Sequence, residues 1–335
     1  MKRICTLSVL TALSSPVALA AGFEAKTMRS TMPSREVERG LIIGRGWLEF
    51  GLGMDIKNAT GAWGTDGDEV DWDSTEWLYS TQRLDIRYGI TRRSEFYWQL
   101  RTHYLALTNA DLGTESTQFG IGDPRFGYRL EVFRGMAPMT SVVAYAEYKA
   151  PAGNESPGNY VGGPSTFTSF ITTTGTPDLE FGIRAKRQIG PIAIEAGGGY
   201  AKRFSGVVQY AIETEYNQFQ ARLKPGDEIR LDASVTLQAG PLAIEAGGRY
   251  VSRDELRIGN TAAGWFPSAN LQVQENSDGM ALDATLGATL NVSQSLDLVV
   301  GATLPMMGED LMYFPIEDLH PTRGNTYSGT LEFRY

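Results

Sequence analysis

Nearly every apolar stretch between Leu48 and Tyr335 carries its apolar residues at every second position. Leu48, Phe50, Leu52, Met54 and Ile56 fall on one side, and Glu49, Gly51, Gly53, Asp55 and Lys57 on the other. Phe96, Trp98, Leu100, Thr102 and Tyr104 oppose Glu95, Tyr97, Gln99, Arg101 and His103. The stretches Ile229 to Leu237 and Leu296 to Leu304 repeat the arrangement. Successive side chains of a strand point to opposite faces, so a period of two means strands with one apolar and one polar surface.

A soluble β-sandwich alternates in the same way. The connections separate the two folds. Very short turns at Gly89 to Arg93, Gly135 to Pro138, Gly190-Pro191, Gly240-Pro241 and Asn291 to Ser295 alternate with long polar loops. Those loops run over 57–73, 107–117, 150–176, 205–226, 255–278 and 305–325. A sandwich has no reason to gather its long loops at one end, whereas an outer-membrane barrel does. The expectation is an all-β chain whose residues 41–335 form a transmembrane, antiparallel, up-and-down β-barrel of about 12 strands, with short periplasmic turns and long extracellular loops. The even number returns both ends of the barrel to the periplasmic side.

The last stretch fits the same pattern. Tyr327, Gly329, Leu331, Phe333 and Tyr335 alternate with Thr326, Ser328, Thr330, Glu332 and Arg334, ending on an aromatic residue. This resembles the terminal strand that the barrel-assembly machinery of Gram-negative bacteria recognises. An internal repeat points to hairpins as the unit. Residues 188–200, from Gln188-Ile189-Gly190-Pro191 to Tyr200, recur as 238–250, from Gln238-Ala239-Gly240-Pro241 to Tyr250. Each copy reads as a tight turn and a rising strand. Eight steps of about 3.3 Å at a tilt near 40° place Tyr200 and Tyr250 about 20 Å up, near the outer aromatic girdle.

Residues 1–20 read as an export signal. Lys2 and Arg3 precede an apolar run from Ile4 to Leu13, and Ala18-Leu19-Ala20 supplies small residues for cleavage. Losing Lys2 and Arg3 would take the formal charge from -9 to -11, and losing Cys5 would remove the one cysteine. No disulfide framework is then expected. Residues 21–40 read as a periplasmic N-terminal segment able to fold into the barrel as a plug.

Composition serves mainly to exclude. Past the signal, no run approaches the roughly 20 apolar residues of a membrane-spanning helix. A net negative charge repels phosphate, so no nucleic acid partner is expected. The 38 glycines and 10% aromatic residues suit a sheet between lipid and water.

Parity assigns the lumen. Arg83, Arg87, Arg101, His103, Arg125, Arg129 and Glu147 face inward, with Asp85, Glu95 and Glu131 beside them. They form either a charged passage that selects solutes or a set of ion pairs filling a narrow interior; twelve strands lie between barrels that are filled and barrels that conduct. Later strands turn small residues inward: Ala193, Gly197, Gly199, Ala243, Gly247, Gly287 and Gly301. One strand is broken at Gly120-Ile121-Gly122-Asp123-Pro124. Phe119 and Ile121 face outward, and so do Phe126 and Tyr128, so the parity flips and an extra residue must bulge. The plain alternative is a bulge near the rim; the functional one is a kink at Gly120, Gly122, Asp123 and Pro124 that opens the wall sideways to an apolar solute.

The same stretch carries a family resemblance. Gly120-Ile121-Gly122-Asp123-Pro124 with Gly127-Tyr128-Arg129-Leu130, and Tyr148-Lys149-Ala150-Pro151-Ala152-Gly153, resemble motifs of the phenol meta-pathway outer-membrane proteins. That family is distantly similar to long-chain fatty-acid channels. The resemblance implies a passive channel for small aromatic or apolar compounds, and it implies no particular substrate residues.

Two other functions compete. A barrel-embedded lipid hydrolase needs a serine and a histidine held together by a polar group. The chain has His103 and His320, neither within a nucleophile motif, so no catalysis is expected. A structural barrel binding cations or lipopolysaccharide draws on Asp66, Asp68, Asp71 and Asp73 with Glu69 in the first long loop, oxygen ligands that suit Ca²⁺. Their spacing is not that of an EF-hand, and a solvated acidic loop beside lipopolysaccharide is the favoured reading of them. No cofactor is expected; the expected partners are membrane lipid, lipopolysaccharide, the assembly machinery at Tyr335 and a small solute.

Overall fold

In a computed structural model of the protein, the structure describes residues 33, 35–64, 67–71, 75–109, 114–136, 139–152, 176–211, 218–259, 271–273, 278–309 and 322–335. The barrel strands are β1 (Leu48–Ala59), β2 (Thr75–Thr91), β3 (Ser94–Asn109), β4 in two parts (Thr114–Ile121 and Arg125–Met136), β5 (Met139–Lys149) and β6 (Asp178–Ile189). They continue as β7 (Ile192–Arg203), β8 (Glu228–Ala239), β9 (Leu242–Arg253), β10 (Gly279–Ser293), β11 (Leu296–Glu309) and β12 (Thr326–Arg334). Each pairs antiparallel with its sequence neighbours, and β12 pairs with β1 from Glu49↔Arg334 to Lys57↔Thr326. The barrel is therefore closed, with twelve strands.

Closure satisfies the backbone groups that an open sheet would leave bare in lipid. The outer wall is apolar as the alternation requires. Leu52, Phe96, Phe181, Ile183, Ile194, Leu231, Val235, Ile244, Leu286 and Val300 are all exposed, while Glu49, Glu95, Thr236 and Asp297 between them are buried inward. Tyr200 is 44% exposed, and its hydroxyl reaches Asp227 at 2.8 Å, at the end of the barrel that carries the long connections.

The repeat is two hairpins with one geometry. Gly190 and Gly240 take φ of 62° and 64°, which glycine adopts without Cβ strain. Pro191 and Pro241 each lack an N–H but use their carbonyls, accepting from Gln238 and Asn291 of the following strands at 2.8 Å. Each turn thereby bonds to the next hairpin round the barrel.

Among the described residues, parts of the long connections expected as loops pair as strands. Short strands at Gly61–Trp63, Glu69–Asp71 and Thr322–Arg323 form one small sheet, and Gly206–Ala211, Gln218–Lys224, Arg257–Gly259 and Leu271–Val273 form another. β3 also continues to Asn109 and β11 to Glu309, past the loop starts expected at 107 and 305. Above the membrane both strand faces are wet, so the apolar contrast that reveals a strand fades.

Candidate functional site

The lumen contains several separate ion-pair clusters. At the short-turn end, Glu95, with no exposed surface, accepts from Arg87 at 2.9 Å and Arg129 at 2.9 Å. Arg87 also pairs with Glu49 at 2.8 Å. Glu49 faces Arg334 across the β1–β12 seam and pairs with it, and Arg334 pairs in turn with Asp297. Two interior carboxylates, Glu95 and Asp297, are thus completely sealed from water and depend on their arginines.

The N-terminal segment docks on this cluster. A short 3-10 turn at Glu36–Glu38 leads to Arg39, which pairs with Asp297 and with Glu36 at 2.8 Å. Lys186 of β6 donates to the Glu36 carbonyl at 3.2 Å, and Arg87 of β2 to the Leu41 carbonyl at 3.2 Å. Val37 donates its N–H to Gln238 of β8 at 3.4 Å, and Ile43 donates its own to Glu95 of β3 at 2.8 Å. These contacts reach β2, β3, β6, β8 and β11, so residues 36–43 lie across the lumen. Val37, Ile42 and Ile43 are buried there, at 1%, 5% and 7% exposure. Gly89 admits the segment closely, since a Cβ at that position would overlap the Gly44 carbonyl. Residues 21–32 and 34 of the expected plug, and the export signal, lie outside the described residues.

Further along the lumen, Arg83 pairs with Asp55 at 3.0 Å and reaches the Thr330 hydroxyl at 3.4 Å; Arg101 stands opposite it on β3. Arg125 pairs with Glu147 at 3.0 Å, and Glu147 also accepts from the Tyr97 hydroxyl at 2.8 Å. Arg129 lies 4.3 Å over the Tyr97 ring. Of the expected lumen residues, the structure joins Arg87 with Arg129 and Arg125 with Glu147, and places Arg83 and Arg101 elsewhere. His103 is buried, stacked on Tyr79, with Nδ1 bonded to Tyr79 at 2.6 Å and Thr81 at 3.1 Å. It is built into the wall. His320 lies outside the described residues.

Two inward tyrosines are seated on glycines. Tyr97 lies across Gly127, its partner on β4, and Tyr145 lies across Gly182 of β6 and reaches Gly199. A Cβ at any of these glycines would overlap the ring. Tyr145 donates to Glu180 at 2.8 Å. Both rings are thus held against the wall and kept out of the lumen. On the following strands, Arg184 and Asp232 pair at 3.0 Å while keeping 41% and 32% of their side-chain surface accessible. The interior is open beside them.

The break in β4 is a bulge. Ile121 faces Thr102 and Arg125 faces Gln99, so Gly122, Asp123 and Pro124 oppose only Leu100 and Arg101. Gly122 still donates to the Arg101 carbonyl at 3.0 Å, and Ala150 to the Pro124 carbonyl at 2.9 Å. Asp123 turns inward, fully buried, 3.7 Å from Lys149. Gly120 is buried as well. The bulge sits where β5 and β6 end, at Lys149 and Asp178, so it lies at the rim on that side. Above it, Thr114–Ile121 pairs with β3, and among the described residues it has no strand on its other edge.

The acidic first loop is partly neutralised within the protein. Arg323 pairs with Asp71 at 2.5 Å and Glu69 at 2.6 Å and lies 5.7 Å over Trp63. Asp68 closes its loop through its carbonyl, which accepts from Gly64 at 2.7 Å; Asp66 and Asp73 lie outside the described residues. Among the described residues no group of three or more acidic, histidine or cysteine side chains converges as a metal site would.

Sequence parity names neither Arg39 nor Glu180 as a member of these clusters, and it puts Asp297 and Arg334 on the polar face without their partners.

A closed barrel with an apolar outer wall, a charged interior and its short turns gathered at one end defines a transmembrane β-barrel of the Gram-negative outer-membrane class. Among solved structures it is similar to the COG4313 outer membrane channel from Pseudomonas putida F1, with a TM-score of 0.62 and 12% identity over 87% of this chain and 96% of that one. Looser likenesses, which carry no weight here, are a TodX monoaromatic hydrocarbon channel mutant (TM-score 0.45, 9% identity, 86% and 90% covered) and the translocator domain of autotransporter NalP from Neisseria meningitidis (0.39, 10%, 95% and 92%). No family model and no curated protein matches the sequence.

Proposed function

We propose that the barrel is a passive outer-membrane channel through which small compounds, aromatic or apolar ones among them, enter the periplasm. The observation that carries this reading is the accessible interior beside Arg184 and Asp232, whose side chains lie over Gly197 on the inner face of the wall. The motifs that resemble those of the phenol meta-pathway proteins support an aromatic substrate, and the likeness to a Pseudomonas putida channel agrees with transport. Arg83, Arg87, Arg101, Arg125, Arg129 and Glu147 line the route, with His103 built into the wall beside them. Residues 21–40 act as its periplasmic plug, held by Arg39. The assembly machinery reads the strand ending at Tyr335, and lipopolysaccharide surrounds the loops. Proteoliposome uptake tests the reading: labelled toluene or a small polar solute should enter faster than into protein-free vesicles, and equal rates for both would refute it.

A lateral exit at Gly120, Gly122, Asp123 and Pro124 is a second reading. It is favoured by the edge of Thr114–Ile121, which rises above the ends of β5 and β6.

A further inference from the structure

At the long-connection end of the lumen, the ends of β4 to β8 enclose a recess lined by Arg125, Lys149, Asp178, Glu180, Arg203 and Arg230, with Glu147 and Ala201 completing it. Most of its charges are committed. Asp178 holds Lys149 at 2.6 Å, Glu147 holds Arg125 at 3.0 Å, and Glu180 holds Arg230 at 2.9 Å. The tyrosine hydroxyls of Tyr97 and Tyr145 bond to Glu147 and Glu180. Arg203 differs. Its side chain is 1% exposed and pairs through Nη2 with Glu228 at 2.7 Å, while its Nε and Nη1 have no acceptor among the described residues. Glu228 is in turn shared with Arg230 and Arg253.

A buried guanidinium with unused N–H donors is costly unless an acceptor arrives. The strongest complement is an oxyanion, because a charged acceptor answers both the charge and the donors. The enclosed space has room for about one water, so it takes one carboxylate oxygen and leaves the rest of the solute in the open lumen.

We propose that this recess is a binding site for the carboxylate of a small solute, with Arg203 as the residue that receives it. The assignment deepens the channel reading, and rests on it, by naming an anionic class of cargo. Lys149 bridges Asp178 of the recess and Asp123 of the bulge, so a bound head group would lie immediately inside the break in the wall.

Equilibrium dialysis of the refolded full barrel in detergent, with labelled benzoate as probe, tests the site. Binding should saturate, be displaced by acetate and be untouched by benzamide, which lacks the charge. Arg203→Gln should weaken it at least tenfold. Ala201→Val, which fills the recess without removing a charge, should weaken it comparably, and heat-modifiable mobility on gels reports that each variant is folded. Absence of saturable binding, equal displacement by benzamide, or unchanged binding in both variants overturns the site. Displacement by chloride or phosphate as readily as by acetate also overturns it, in favour of an inorganic-anion site. Planar-bilayer recordings separate the two levels. A conducting barrel without benzoate binding loses the site alone; a silent barrel that still binds benzoate through Arg203 keeps the site and loses the channel.

Discussion

Arg39, in the segment before the first strand, forms an ion pair with Asp297 of β11, a carboxylate with no exposed surface. The same carboxylate holds Arg334 of the last strand, so one buried group joins the N-terminal segment to the seam that closes the barrel. Removing it takes a buried carboxylate from both arginines, leaving Arg39 with Glu36 and Arg334 with Glu49 and Glu332. Asp297→Asn should therefore cost about 3–5 kcal/mol in urea unfolding, the usual penalty for breaking a buried pair from one side. Arg39→Ala leaves Asp297 with Arg334 and Asn291, and should cost only about 1.5–3 kcal/mol. A larger loss from Arg39→Ala than from Asp297→Asn would contradict the shared-carboxylate account.

The tyrosines seated on glycines make a second prediction. Gly127→Ala puts a methyl group into the Tyr97 ring, so the ring must leave the wall and give up Glu147. Overpacking of this kind typically costs about 1–3 kcal/mol. Gly329→Ala is the control: nothing lies within 4 Å of a Cβ there, and its stability should be unchanged. Matching stabilities for the two variants would show that Tyr97 moves without cost.

Asp227, in the connection leading to β8, sets a pH dependence outside the membrane. Burial pushes its carboxyl up, but hydrogen bonds from Lys202, the Arg203 N–H and Tyr200 outweigh that and hold it below the usual carboxylate range. A carboxyl lowered in the folded state stabilises fully above its unfolded pKa, and that contribution is lost as the pH falls through the folded value. Melting temperatures of wild type and Asp227→Asn should therefore differ at neutral pH and converge as the pH is lowered through the carboxylate range. A constant gap would remove Asp227 from the account.

Pro124→Thr tests the lateral exit. Proline cannot donate to the ladder, and threonine can restore the missing N–H. If apolar solutes leave through the break, their uptake should slow while that of small polar solutes stays the same. Unchanged rates for both would leave the bulge a structural feature of the rim.

How much of this was legible in the sequence follows from what each feature depends on. Lipid on one side of the wall imposes the alternation at Leu48 to Ile56 and at Ile229 to Leu237, so the strands and their inward faces could be read directly. The bulge at Gly122–Pro124 was legible because a parity flip is a local signal. The strands at Gly206–Ala211 and Gln218–Lys224 were not, since they lie in a connection without lipid contrast. The ion-pair partners were hidden for another reason: Arg39 and Asp297 are 258 positions apart and meet only because the sheet closes. Parity could place a charge inside without saying which of twelve strands would answer it.

Planar-bilayer recording of the refolded barrel, with and without residues 22–40, tests the central claim most directly. The account predicts stepwise current through the full chain and a higher conductance once the segment bearing Arg39 is gone. Silence from both forms, in bilayers where the barrel is folded and inserted, would contradict it.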